Sequence, residues 1–152
     1  MVVDHNFHRK YIHNDVFFKS LHSGIFLDKF RQETGLKIKP SYCLLSSYEK
    51  DLGICPPHRD RPQCYITLNL CLNQAKVWPL FVAKNSFPSH RSVATLHKHE
   101  LEEKVEILLN PGDGVAYSGI DYLHWREKIS NDNFCDMLHL HFVPEDFQGD
   151  LD

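Results

Sequence analysis

His58-Arg59-Asp60-Arg61-Pro62-Gln63-Cys64-Tyr65-Ile66-Thr67-Leu68-Asn69-Leu70-Cys71-Leu72-Asn73 is the stretch whose reading decides the fold. Its second half alternates. Ile66, Leu68, Leu70 and Leu72 fall on one parity, and Thr67, Asn69, Cys71 and Asn73 on the other, which is the period of a half-buried strand. Its first half sets a histidine and an aspartate two residues apart, and on a strand such a pair points to one face. A histidine and a carboxylate are two thirds of the facial set that holds non-heme Fe(II), two His and one acid with open positions opposite. The third ligand has to come from a distant strand. His124, in Asp121-Tyr122-Leu123-His124-Trp125-Arg126, is the best candidate. Alone, His-x-Asp is a weak signal, and a surface loop pair is the plain alternative.

The neighbouring sequence turns to β in the same way. Ser41 to Tyr48 alternates, with Tyr42 to Tyr48 as a strand and Lys37 to Lys39 as a short edge strand before it. Glu49 to Pro57, with Gly53, Pro56 and Pro57, is a loop that delivers His58. Tyr65 to Leu72 and Ala75 to Ala83 are strands. Lys84 to Glu100 is a polar loop and a candidate cover for an active site. Val105 to Leu109 and Val115 to Tyr117 flank the turn Pro111-Gly112-Asp113-Gly114, and Phe134 to Val143 is the last strand. Many short strands with turn punctuation point to a sandwich or jelly roll.

The ordered His58-x-Asp60, the Thr67 to Asn73 strand, the Pro111-Gly112-Asp113 turn, His124 and the last strand near Cys135 to Val143 together resemble the 2-oxoglutarate and Fe(II)-dependent oxygenases, on their prolyl-hydroxylase-like side. The resemblance covers roughly Tyr42 to Val143. It implies a mainly β double-stranded β-helix with one N-terminal supporting helix. It implies Fe(II) on His58, Asp60 and His124, 2-oxoglutarate as cosubstrate, O2 as oxidant, and oxidation of a substrate C–H bond.

The resemblance also implies a fixed cation for the distal carboxylate of the cosubstrate. In the prolyl hydroxylases an arginine on the last strand supplies it, and here that position reads Cys135. Arg126 offers a replacement, two residues past His124 and so on its face in a regular strand, with Lys128 the next residue of that parity; the plain alternative for Arg126 is a surface ion pair. Tyr48 matches in position the tyrosine whose hydroxyl meets the cosubstrate, or else is a core aromatic. Cys71 stands where the family has a second tyrosine. Thr67 and Asn69 share its parity and face either the pocket or water. His139 and His141, on the parity of Cys135, point into the barrel near cosubstrate or substrate, or are hydrogen-bonded structural residues. Arg59, Arg61 and Trp78 are substrate candidates. Trp125, next to a ligand, points outward.

From Asp15 to Thr34, apolar residues at Val16, Phe17, Leu21, Ile25, Phe26 and Phe30 follow the helical period. Asn14 or Asp15 caps the start and Gly35 the end, while Gly24 interrupts the stripe. His5, His8, His13 and His22 lack partner spacing and read as surface or structural residues. The 152 residues predict a single domain, with the helix over about 15–34, a jelly-roll core over 37–143 and a loose acidic tail over 144–152.

A net charge of −3 gives no basic footprint for nucleic acid, so a nucleic-acid partner is not expected. No apolar run approaches membrane-spanning length, and no secretory leader is visible at the start. Five cysteines without a Cys-x-x-Cys pair read as free thiols of a reducing, cytoplasmic compartment. The expected partner is a small molecule; oligomeric state is not legible. Two other functions stay open: a cupin-type metal protein using His139 and His141, and a non-catalytic jelly-roll binding module.

Overall fold

The computed structural model describes residues 1–152. Two antiparallel sheets face each other. Ten strands make them: β1 (Val2–Asp4), β2 (Arg9–His13), β3 (Ile38–Tyr48), β4 (Cys55–His58), β5 (Ile66–Gln74), β6 (Leu80–Ser86), β7 (Lys104–Ile107), β8 (Gly114–Tyr117), β9 (Tyr122–Arg126) and β10 (Cys135–Pro144). The large sheet runs β1-β2-β3-β10-β5-β8 and the small sheet β4-β9-β6-β7. This is the double-stranded β-helix expected from the sequence. No helix is long and apolar enough to cross a membrane.

Strand parity decides where the core sits. On β10, Leu138, Leu140 and Phe142 point to the outer face of the large sheet, where they pack with Leu27, Ile38 and Cys43. Phe18, Phe26 and Phe30 from the N-terminal helical segment cover that cluster, with Phe30 stacked on Phe142 at 5.4 Å. Each such side chain contributes about 1.5–3 kcal/mol when fully buried. Cys135 and Met137, on the opposite parity, join Tyr48, Cys71, Trp78, Leu109 and Ile129 in an apolar core between the sheets. Farther along the same inner face come His139 and His141. The space between the sheets is therefore oily at one end and polar at the other.

The helix is two helices, α1 (Val16–Leu21) and α2 (Leu27–Thr34), joined by a π turn over His22–Phe26. Asp15 caps it, accepting from the N–H of Phe17 and Phe18 at 3.0 and 3.3 Å. The break falls at Gly24, whose backbone (φ −107°, ψ −109°) is non-helical and which has no side chain to obstruct it. Gly35 ends α2 at φ 69°, the left-handed cap that glycine adopts without strain. His22 is a structural histidine, buried edge-on against Phe142; burial pushes its pKa down to about 4, so it stays neutral.

One element was not foreseen, and two expectations need correction. Residues 2–13 form a hairpin, β1 and β2, that extends the large sheet beyond β3; its polar, histidine-rich sequence lacks clean alternation. Lys37 to Lys39 is no separate strand, because β3 runs unbroken from Ile38, pairing with β10 there and with β2 as well from Leu44 to Tyr48. Residues 144–152 are tied down: Arg31 pairs with Glu145 at 2.7 Å, Lys39 donates to the Phe147 carbonyl at 2.9 Å, and Asp152 meets His13 at 2.7 Å.

Candidate metal centre

The polar end of the inter-sheet space is a cavity of about 320 Å³. Register brings its residues together. β4 pairs with β9 so that His58 lies opposite His124 and Cys55 opposite Arg126. β10 pairs with β5 so that His139 lies opposite Asn69 and His141 opposite Thr67. Small-sheet and large-sheet histidines thus line one cavity.

His58 ends β4, and Asp60 lies in the bend after it, so the strand-face argument does not describe how Asp60 is aimed. Its backbone does that: the Asp60 N–H donates to the Gly119 carbonyl at 2.8 Å. Gly119 has to be a glycine, since a Cβ there would stand 2.3 Å from Asp60 Oδ2 and 2.8 Å from the Cys64 carbonyl. Asp60 Oδ2 also accepts from the Thr67 hydroxyl at 3.1 Å.

Both histidines present the same nitrogen. His58 Nδ1–H donates to the Pro56 carbonyl at 2.8 Å and His124 Nδ1–H to the Tyr122 carbonyl at 3.1 Å. That fixes the tautomer and leaves Nε2 as the free lone pair, the outer-shell arrangement typical of ligating histidines. Each Nε2 points at Asp60 Oδ1, at 3.4 Å from His58 and 3.5 Å from His124. One ligand atom from each of the three residues lies within 4.8 Å of the others. Two nitrogens and a carboxylate oxygen converging in this way are a donor set that fits a divalent metal.

The electrostatics agree with a built site. Burial would raise the Asp60 pKa, but hydrogen bonds from His124 and His58 outweigh it and hold the carboxyl well below its usual range. Burial disfavours a charged His58, yet the hydrogen bonds to Asp60 and Cys55 carry its pKa well above the ordinary histidine value.

Arg126 lies in the same cavity, buried, with no carboxylate partner. It donates to the Trp78 carbonyl, reaches Met137 Sδ at 3.9 Å and packs over the Trp78 ring at 4.9 Å. A buried guanidinium without a counter-charge is costly, and the open side of this one is the cavity. Tyr48 lines the cavity beside Trp78, its ring 4.9 Å away edge-on. Burial pushes its hydroxyl pKa up to about 12, so it stays a phenol. Cys71 and Cys135 are buried behind the cavity, and all five cysteines are free.

Thr67, Asn69, His139 and His141 line the cavity as a hydrogen-bonded floor. His139 Nδ1–H donates to Asn69 Oδ1 at 2.6 Å, and Asn69 Nδ2 donates to the Tyr117 hydroxyl at 2.8 Å. His141 Nδ1–H donates to the Thr67 hydroxyl at 3.0 Å. Burial, first of all, depresses both imidazoles: His139 well below the ordinary value and His141 to about 4.

Several candidate positions move. Trp78 does not face the cavity; it is core, its indole N–H donating to the Glu127 carbonyl at 2.9 Å. Arg59 lines the cavity, but its guanidinium turns to the carbonyls of Ile120, Ser89 and Arg91 at 3.3–3.4 Å and packs on Phe87. The loop it ties down is no cover for the cavity. Phe87, Val93, Leu96 and Leu101 pack on Leu123 and Trp125, the β9 side chains on the face opposite His124. Arg61 lies at the mouth, its Nε donating to the Tyr42 hydroxyl at 3.3 Å. Arg9, Tyr42, Tyr117 and Gly119 escaped the sequence reading. Only Tyr117 had a signal, its place in the short apolar run after the Pro111 turn.

No protein-family model matches the chain, and no curated protein does. Solved structures do match. The non-heme alpha ketoglutarate dependent epimerase SnoN from nogalamycin biosynthesis superposes with a TM-score of 0.66 over 90% of this chain and 63% of that one, at 11% identity. HygX from Streptomyces hygroscopicus, solved with nickel, 2-oxoglutarate and hygromycin B bound, gives 0.62 over 92% and 71%, at 10% identity. A Pseudomonas putida prolyl-4-hydroxylase gives 0.58 over 90% and 72%, at 14% identity. The chain spans only 35% of EvdMO1, which matches over 89% of this chain. At these identities the likeness establishes the fold: a double-stranded β-helix of the kind these 2-oxoglutarate-dependent enzymes have.

Proposed function

We propose that the chain is an Fe(II)- and 2-oxoglutarate-dependent oxygenase that oxidises a C–H bond of a small molecule, most simply by hydroxylation. The observation that carries the reading is the convergence of His58 Nε2, Asp60 Oδ1 and His124 Nε2 in a cavity that also holds an uncompensated buried arginine. The fold of SnoN, HygX and the prolyl-4-hydroxylase supports it.

In this reading His58, Asp60 and His124 would hold the ion. Bound there, a ferrous ion would supply O2 activation coupled to oxidative decarboxylation of the cosubstrate. Arg126 receives the distal carboxylate of 2-oxoglutarate by a two-point contact that suits a planar guanidinium. Tyr48 stays protonated beside it and is placed to donate a second hydrogen bond. Tyr117, a half-buried phenol whose pKa desolvation raises well above its usual value, keeps its proton near His124, 4.9 Å from ring to ring. Asn69 and His139 hold that phenol in place, and Thr67 holds Asp60. The surrounding strands exclude bulk water, so each of these contacts acts in a low dielectric. The free buried thiols suit a reducing compartment, and a cytoplasmic location belongs to the proposal.

The test is anaerobic loading with Fe(II), then succinate formation from 2-oxoglutarate on admitting air. It is run against a panel of amino acids and small organic acids. Iron- and oxygen-dependent succinate, stimulated by at least one panel member, is the expected result. A folded protein that binds neither Fe(II) nor 2-oxoglutarate overturns the reading.

A further inference from the structure

The cavity is too small to be the whole substrate site. About 320 Å³ is the lower end for a ligand pocket, and under the proposed function the cosubstrate takes part of it. The mouth, however, continues into a second groove of about 600 Å³ between the N-terminal hairpin and the edge of the metal cavity. Arg9, Tyr42, Leu44 and Arg61 line both spaces, so they form the threshold from one to the other.

The charge of these walls is lopsided. Four arginines line the metal cavity, Arg9, Arg59, Arg61 and Arg126, against one carboxylate, Asp60. A divalent ion adds two positive charges and 2-oxoglutarate returns two negative ones, so the excess of cations persists with both bound. Arg126 is committed to the cosubstrate and Arg59 to three backbone carbonyls. Arg9 and Arg61 remain. Arg9 gives its Nε to Asp4 at 3.1 Å, and its nearest other partners, Ser46 Oγ and Tyr48 Oη, are long at 3.4 and 3.5 Å. Arg61 spends only its Nε, on Tyr42, and its terminal nitrogens have no partner in the protein. The nearby Asp152 pairs with His13 instead.

The two guanidiniums also sit over aromatic rings. Arg61 lies 4.4 Å over Tyr42, and Arg9 lies 4.7 Å over Phe7 and 5.3 Å over Tyr11. Such cation–ring contacts hold each side chain in place at the groove without using up its N–H donors. The rest of the groove is apolar at Val2, Tyr11 and Leu44 and polar at His13 and Asp152, which pair with each other. We infer that the substrate is a small organic anion with an apolar body, its anionic group gripped by Arg9 and Arg61 in this groove and its reacting end extended into the metal cavity. This rests on the proposed oxygenase reading for the reaction, though the anion grip itself does not depend on metal.

The experiment measures binding of three one-ring probes to the intact protein by saturation-transfer NMR and titration: phenylacetate, phenyl phosphate and the neutral phenylacetamide. Each is run with and without Zn2+ plus saturating 2-oxoglutarate. The expected result is that one or both anions bind and the amide binds at least about tenfold more weakly, about 1.4 kcal/mol. Which anion prevails identifies the carboxylate or the phosphate as the natural group. Arg61→Gln, at an exposed side chain, and Arg9→Gln each weaken anion binding about tenfold, and Arg61→Gln leaves 2-oxoglutarate affinity within about twofold. Arg9→Gln also loses the Asp4 bridge; if it does not fold, Arg61→Gln decides alone. Equal binding of amide and anions, no anion binding, or unchanged affinity in Arg61→Gln overturns the inference. Anion binding that needs Arg61 in a protein that fails to take up 2-oxoglutarate sinks the oxygenase reading and keeps the groove.

Discussion

The cavity contains two pairs of histidines, and they differ in what holds their Nδ1 atoms. His58 and His124 spend Nδ1 on backbone carbonyls of their own strands and turn Nε2 to a carboxylate. His139 and His141 spend Nδ1 on side chains of β5, Asn69 and Thr67, and lie parallel, 6.5 Å apart, with neutral imidazoles. His139 Nε2 is buried without a partner. The first pair is set to bind a cation. The second is a scaffold that positions other groups. The difference comes from the neighbour each ring meets, and a count of histidines cannot see it.

The largest effect that sharpens this contrast is on metal affinity. His58→Ala or His124→Ala is expected to weaken divalent metal binding by more than the roughly 10–100-fold that losing an outer-shell partner costs. His139→Ala, which touches no ligand, is expected to leave it within a few-fold. Anaerobic titration with Fe(II) or Co(II) checks both. Comparable losses in all three folded variants would erase the distinction between the pairs and revive the cupin-type assignment.

Arg126 comes next. Arg126→Ala is expected to weaken 2-oxoglutarate binding about a hundredfold, near 2.7 kcal/mol, while metal affinity holds. Arg126→Lys recovers part of the loss, because an ammonium lacks the planar two-point contact. Titration of 2-oxoglutarate into the metal-loaded protein measures it. Normal binding in the alanine variant would assign the carboxylate to another cation.

Gly119→Ala ranks third. Its new Cβ collides with Asp60 Oδ2 and the Cys64 carbonyl, so the carboxylate has to turn away from His58 and His124. The expected cost is about tenfold or somewhat more in metal affinity, as for other groups that orient a ligand. Gly24→Ala, with open space around its Cβ, leaves metal affinity unchanged. Unaltered metal binding in Gly119→Ala would show that Asp60 is aimed by something other than this contact.

Much of this was legible beforehand where alternation was clean. β5 and β10 were readable because Ile66 to Gln74 and Cys135 to Pro144 alternate or run apolar at strand length. The helical stripe was readable for the same reason, down to the weakness at Gly24. The hairpin at residues 2–13 was not, because Arg9-Lys10-Tyr11-Ile12-His13 lies next to the short edge strand β1, where half-exposed polar residues blur the period. Arg9 was lost with it. Trp78 was misplaced because an amphipathic aromatic suits a pocket wall and a core alike, and its indole N–H finds a backbone carbonyl within the core. The approach of Arg126 to the cavity followed from its spacing to His124. The turning of Arg59 towards Ser89 and Arg91 depends on a tertiary contact about 30 residues away, and no local pattern encodes that.

The smallest expected effect tests the one link between the two pairs. Thr67 Oγ1 donates its single proton to Asp60 Oδ2 and therefore accepts from His141 Nδ1–H. His141 thus acts on the metal site through one hydroxyl. Thr67→Val keeps the shape and removes the relay. It strips a hydrogen bond from a ligating carboxylate and leaves the His141 N–H buried and unpaired. The second loss costs about 1–3 kcal/mol of stability, and the first about tenfold in metal affinity. Thr67→Ser restores both. Asn69→Ala makes the matching break in the other arm, freeing His139 and Tyr117, and metal affinity is expected to be nearly unmoved. If Asn69→Ala weakens metal binding as much as Thr67→Val, the floor of the cavity acts as one unit, and the division between a metal-binding pair and a scaffolding pair is wrong.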